Sequence, residues 1–153
     1  MSAPRARRAT ARAAAAVAAA VGLAACSGLT GSHAHKVAQW AAGAGVLASV
    51  RLVKADVRAV GAGIAREALV ATHTACDGLA SDAASAYGEL PTPDVALTDA
   101  LSAAYLAYTR AAQDCSDAGS FAAGAFARYQ REVAIADREL RGAERRLAAL
   151  GVR

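Results

Sequence analysis

The chain has 153 residues and a formal net charge of +4, from 17 Lys and Arg against 13 Asp and Glu. The excess is confined to the first 25 residues, where Arg5, Arg7, Arg8 and Arg12 stand without any acidic residue. From residue 26 onward 13 basic side chains face 13 acidic ones, so the basic balance is no argument for a nucleic-acid partner. The 128 residues that remain suit one domain with a modest core.

In chain order, the four arginines lead into an apolar run of 13 residues, Ala13 to Ala25. That run is too short for the ~20 residues of a spanning helix. A positive head, a short apolar core and small residues at its end form the pattern of a cleaved secretory signal. The run closes on Leu23-Ala24-Ala25-Cys26, which resembles the lipobox of bacterial lipoprotein signal peptides. The resemblance implies that residues 1–25 are removed and that Cys26 gains a thioether-linked diacylglycerol. Cys26 then becomes the first mature residue, on the outer, extracytoplasmic face of the cytoplasmic membrane. On this reading the membrane is the first expected partner. The Ala-dominated usage, with Arg far above Lys, resembles that of high-GC actinobacterial proteins.

Residues 26–34 read as a flexible lipidated tether, because Ser27-Gly28-Leu29-Thr30-Gly31-Ser32 offers little to pack. His33 and His35 form a His-x-His pair, but no Cys, Asp or Glu lies nearby to complete a metal site, so a solvated helix start is expected. Residues 35–153 are expected to form an all-α, up-down bundle of three or four helices, over about 35–60, 62–87, 94–116 and 120–150. Across the first two the apolar seam runs Trp40, Ala44, Leu47, Val50, Val53, Val57, Val60 and Ile64, then Cys76, Leu79 and Ala83. Gly61 and Gly63 are the candidate hinge, each costing about 1 kcal/mol relative to Ala in a helix interior. That permits a break without requiring one, so the first two helices are also readable as one. Trp40 suits either the headgroup region or the core.

Gly88 to Asp94 contains Pro91 and Pro93 and reads as the clearest turn. Thr92 is the expected N-cap, with Pro93 at the first helical position and Asp94 favouring the positive helix end. Leu97, Leu101, Ala104, Tyr108, Ala111 and Cys115 share the next helix face, and Gly119 is the expected left-handed stop. The last helix carries Ala122, Phe126, Tyr129, Val133, Ala136, Leu140, Ala143, Leu147 and Leu150 at alternating steps of four and three, a heptad seam. Arg128 with Glu132 and Asp137 with Arg141 are spaced for pairs on one helix face. Arg141, Arg145 and Arg146 suit its negative end.

Cys76 and Cys115, both on apolar seams, are expected to form a disulfide in an extracytoplasmic compartment, with buried thiols as the alternative. A tight turn between their helices misaligns them by about 15 Å at 1.5 Å per residue. The Pro-rich segment must therefore run onward instead of doubling back. The first half of the long helical stretch then projects, and its apolar stripe needs cover. Either the chain folds back at Gly61–Gly63 into a four-helix bundle or the stripe pairs with another molecule.

Neither a Gly-x-Ser-x-Gly, a phosphate-cradling loop nor a His-Glu-x-x-His occurs. His73 and Cys76 lie one turn apart, but with Cys115 they supply three zinc ligands and no fourth. Asp56 and Asp114 are expected to pair with Arg on neighbouring helices. No catalytic residue, metal or cofactor is expected, and the chain reads as a non-enzymatic interaction or structural module, with an envelope protein or a second copy as partner. The alternative is a bundle that binds a small ligand or lipid, with Tyr105, Tyr108 and Tyr129 as converging polar groups on a ligand or partner face.

Overall fold

A computed structural model describes residues 31–153, so the signal segment, Cys26 and most of the tether lie outside the described residues. The described chain is all-α: α1 (His33–Gly43), α2 (Val46–Ala65), α3 (Leu69–Gly88), α4 (Val95–Ser116) and α5 (Ala127–Ala149). Helices α2 to α5 form an up-down bundle in which each packs against the next, and short α1 packs on α2. The core runs through all of them, with Val53, Val60, Leu79, Leu97, Leu101 and Leu140 fully buried.

The first break does not lie at Gly61–Gly63. Helix α2 runs through both glycines, and the chain breaks earlier, at Gly45, and later, at Glu67. Gly45 takes a left-handed φ of 62°, ending α1 and starting α2. Gly63 serves a different purpose. A Cβ placed there would sit 3.0 Å from the Thr72 Cα, so the missing side chain lets α2 and α3 approach at their turn. The fold therefore covers the projecting stripe from within, as a four-helix bundle with α1 added. Val50 is 5% exposed, while Leu47 and Val57 are partly buried against the core.

The end of α2 is a Schellman motif. Ala68 N–H donates to the Gly63 carbonyl and Glu67 N–H to that of Ile64, both at 3.0 Å. The end of α5 repeats the pattern, Val152 to Leu147 and Gly151 to Ala148. There Gly151 occupies the left-handed position at φ 81°, whereas Glu67 holds the same position at φ 51° with a side chain. L-residues with a Cβ pay about 1 kcal/mol or more there. Glu67→Gly is therefore expected to raise the unfolding free energy by roughly 0.5–1 kcal/mol net of the flexibility it adds to the unfolded chain. Chemical denaturation measures it, and a lower stability would contradict this account of the turn.

Asp94, not Thr92, caps α4: its carboxylate accepts from Leu97 N–H at 2.8 Å. Thr92 instead links the loop to the helix, accepting from Asp94 N–H at 3.0 Å and giving its own N–H to Thr98 Oγ1 at 2.9 Å. Pro93 accordingly lies before the helix. Gly119 is not left-handed; α4 ends at Ser116 in ordinary right-handed backbone, and the carbonyl of nearby Ala118 is bound by His73 Nε2 at 3.0 Å. Helix α5 begins at Ala127, later than the periodicity predicts. Residues 123–126 form turns around Gly124 at φ 84°, and the rings of Phe121 and Phe126 lie 5.5 Å apart, tilted by 30°. From Tyr129 on, the heptad seam faces the core as its spacing requires, with Ala136, Leu140 and Ala143 fully buried.

Candidate functional site

Cys76 and Cys115 are bonded, with Cα atoms 6.0 Å apart and both side chains fully buried between α3 and α4. The segment from Glu89 to Asp94 absorbs the axial offset between the two cysteines. The cysteines thus staple the two middle helices of the bundle, and His73, bound to the Ala118 carbonyl, belongs to the same structural region. Among the described residues no group of three or more His, Cys, Asp or Glu is placed to hold a metal ion.

The three tyrosines do not form an exposed face. Tyr105, Tyr108 and Tyr129 are 1%, 0% and 4% exposed, because each lies on a seam that the bundle closes. Tyr108 donates its hydroxyl to Asp137, and the Tyr129 hydroxyl reaches the Val57 carbonyl. Burial, and after it the Asp137 carboxylate, holds both phenols un-ionised; that of Tyr129 is pushed up to about 12. Burial alone pushes Tyr105 up to about 12, and its hydroxyl has no partner.

Two carboxylate clusters stand out. Asp94 is 3% exposed and gathers three elements. Arg146 of α5 grips it from both sides, Nη2 to Oδ2 at 2.6 Å and Nε to Oδ1 at 3.2 Å, and His33 of α1 donates to Oδ2 at 2.8 Å. Hydrogen bonds from Arg146, His33 and the Leu97 amide, with the guanidinium charge, hold the Asp94 carboxyl well below the usual range despite its burial. His33 starts α1 with its side chain half exposed, as expected, but its ring also ties that helix to Asp94, and Arg146 does more than compensate a helix end.

Asp56 meets another carboxyl, Asp82 of α3, instead of an arginine. Partial desolvation, followed by the hydrogen bond and repulsion from Asp82, pushes Asp56 up to about 6, and its Oδ2 is buried without a partner. The raised value means that the folded state keeps a proton the unfolded chain loses near 3.8, so this site weakens the fold as pH rises from about 4 through 6. Asp82→Asn should therefore leave stability near pH 4 almost unchanged and raise it at pH 7–8, as read by thermal unfolding across that range. An equal effect at both pH values would show that the two carboxyls do not share a proton.

The pairs read along α5 instead reach across to α4. Arg128 bonds Asp114 at 3.1 Å, and Arg110 of α4 takes Glu132 at 3.0 Å. Asp114 thereby finds the arginine expected of it. Both arginines are more than half exposed, and such pairs add little stability.

One concave surface lies along the seam between α2 and α5. Their backbones stay apart over most of their length, unlike the other adjacent pairs, and side chains bridge the gap: Lys54 to Glu144 and Tyr129 to Val57. A groove of about 350 Å³ at its middle is lined by Lys54, Val57, Arg58, Asp137, Arg141 and Glu144. Toward the α4–α5 loop lies a depression of about 280 Å³ beside Ile64, Phe121 and Phe126. Toward the chain's end lies one of about 370 Å³ beside Ala38, Leu47, Ala48 and Val152. The middle groove sets Val57 among five charged side chains, Lys54, Arg58, Asp137, Arg141 and Glu144. No sequence period marks it, because its two sides come from helices some 80 residues apart in the chain. No protein-family model matches the chain, and neither a curated protein nor a solved structure is similar to it.

Proposed function

We propose that this chain is an extracytoplasmic lipoprotein, held on the outer face of the cytoplasmic membrane through Cys26, whose helical bundle is a non-enzymatic interaction module. The observation that carries the reading is Leu23-Ala24-Ala25-Cys26 behind a basic head and a short apolar run. The buried Cys76–Cys115 bond is in keeping with an oxidising compartment. Among the described residues no helix is long and apolar enough to cross a membrane. The α2/α5 seam is the surface offered to a partner, an envelope protein or a second copy of the chain. A second reading, a bundle that binds a small ligand or lipid, is favoured by one observation, the unpartnered buried hydroxyl of Tyr105.

Replacing Cys26 by Ser should release the protein from membranes or leave the precursor uncleaved, as read by fractionation and intact mass. A processed, membrane-bound Cys26→Ser protein would refute the anchor. For the module, a photocrosslinker placed at position 58 or 141 in intact cells should capture a defined partner that one at exposed Leu106 of α4 does not. Equal capture from all three positions would remove the seam from the account.

A further inference from the structure

Tyr105 carries a hydroxyl that the fold leaves unused. Its side chain is 1% exposed and makes no hydrogen bond, whereas the hydroxyls of Tyr108 and Tyr129 both find acceptors. Buried polar groups are rarely left so. Tyr105 forms part of the wall of a crevice shared with Trp40, Val46, Ser49, Leu90 and Leu101. The crevice is too narrow to admit a water molecule.

What covers the crevice is weakly fastened. Trp40 belongs to α1, a helix of 11 residues that joins α2 through left-handed Gly45. Helices of that length have little stability of their own. The Trp40 indole N–H is held by a single exposed bond, 3.2 Å to the Glu89 carbonyl, and the far end of α1 by His33 on Asp94. Val37 and Ala41 supply its buried contacts.

We propose that α1 is the cover of a ligand site, and that the site takes a small, uncharged aromatic molecule bearing one oxygen, which pairs with the Tyr105 hydroxyl. The wall that remains when α1 lifts is mostly apolar, with Val46, Leu90 and Leu101 beside the aromatic ring of Tyr105. It includes no basic side chain, so an anion finds no counter-charge there, and its one carboxylate, that of Glu89, belongs to an exposed residue. With α1 lifted, such a molecule occupies the crevice and supplies the partner that Tyr105 lacks. The proposal rests on the ligand-binding reading and not on the lipid anchor, so the outcome for Cys26→Ser leaves it untouched.

Trp40 is the only tryptophan of the chain, so its fluorescence reports on the site directly. Phenol is the probe and toluene its control, with excitation at the red edge of indole absorption and far-UV circular dichroism to confirm folding. Phenol is expected to change the emission saturably and toluene to bind far more weakly. Tyr105→Phe should weaken phenol binding by about fivefold or more, the worth of one hydrogen bond, whereas Tyr108→Phe leaves it unchanged. Val37→Ala, which loosens α1, should tighten apparent binding by enlarging the open fraction. No saturable response to phenol, or an affinity indifferent to Tyr105→Phe, would overturn the site. A Val37→Ala protein that binds no better would overturn the cover.

Discussion

Removing the Cys76–Cys115 bond should lower stability by about 4 kcal/mol, the entropy of closing a 39-residue loop in the unfolded chain. For a domain of this size that corresponds to a fall in the thermal midpoint of roughly 12–20 °C. The measurement compares oxidised protein with a Cys76→Ala/Cys115→Ala variant, in which no thiol is left to reoxidise. Alanine also leaves two small voids between α3 and α4, so the loss from the bond sets a lower bound. Because both cysteines are fully buried, a mild reductant reaches the bond only when the bundle opens. The native protein should accordingly resist reduction that completes within minutes in denaturant. Equal midpoints for the two proteins would mean that the bond contributes nothing to the fold.

The second large effect is expected at Asp94. Replacement by Ala removes a helix cap worth about 1 kcal/mol. It also releases Arg146 and His33, so α1, α4 and α5 lose their common fastening and the total exceeds that of the cap. Asp94→Asn separates the two contributions, since Asn caps well but carries no charge. The sign of the pH effect follows from the lowered carboxyl. Its contribution is complete above the ordinary aspartate value near 3.8 and is lost progressively as pH falls below it. The stability gap between wild type and Asp94→Asn should thus be full at pH 6–7 and shrink below pH 4. Asp94→Ala should additionally loosen α1, which amide exchange at Val37 to Ala41 would register. A gap independent of pH would show that the cap, and not the ion cluster, is what Asp94 provides.

Local periodicity made the helices legible, and particular residues show where it stopped. The 4–3 steps from Tyr129 to Leu147 face the core because a heptad leaves no other face to bury. Cys76 and Cys115 were readable as a pair because both lie on apolar seams, in keeping with the compartment expected from the leader. The breaks were not readable. Gly43 and Gly45 resemble Gly61 and Gly63 in sequence, and what separates them is the backbone of Thr72 approaching Gly63, a contact made only in the folded bundle. Glu67 gives no local sign of a left-handed residue; the Schellman bonds and the α3 packing that follow hold it there. Asp94 with Arg146 joins residues 52 apart, and Asp56 with Asp82 sets like charges together where an arginine was expected. The tyrosines were read as a face because spacing shows which residues share a stripe, not whether that stripe meets solvent. For the same reason the α2/α5 seam had no signature in either helix alone.

The uneven closure of the bundle has a mechanical consequence. Three of the four helix pairs around the ring are in backbone contact, and the covalent staple joins the two middle helices. The molecule is therefore built like a book, with α3 and α4 as a stitched spine and α2 and α5 as covers whose free edges meet through Lys54, Glu144 and Tyr129. Force applied at those edges is expected to part α2 from α5 first, because that adjacent pair has the least backbone contact.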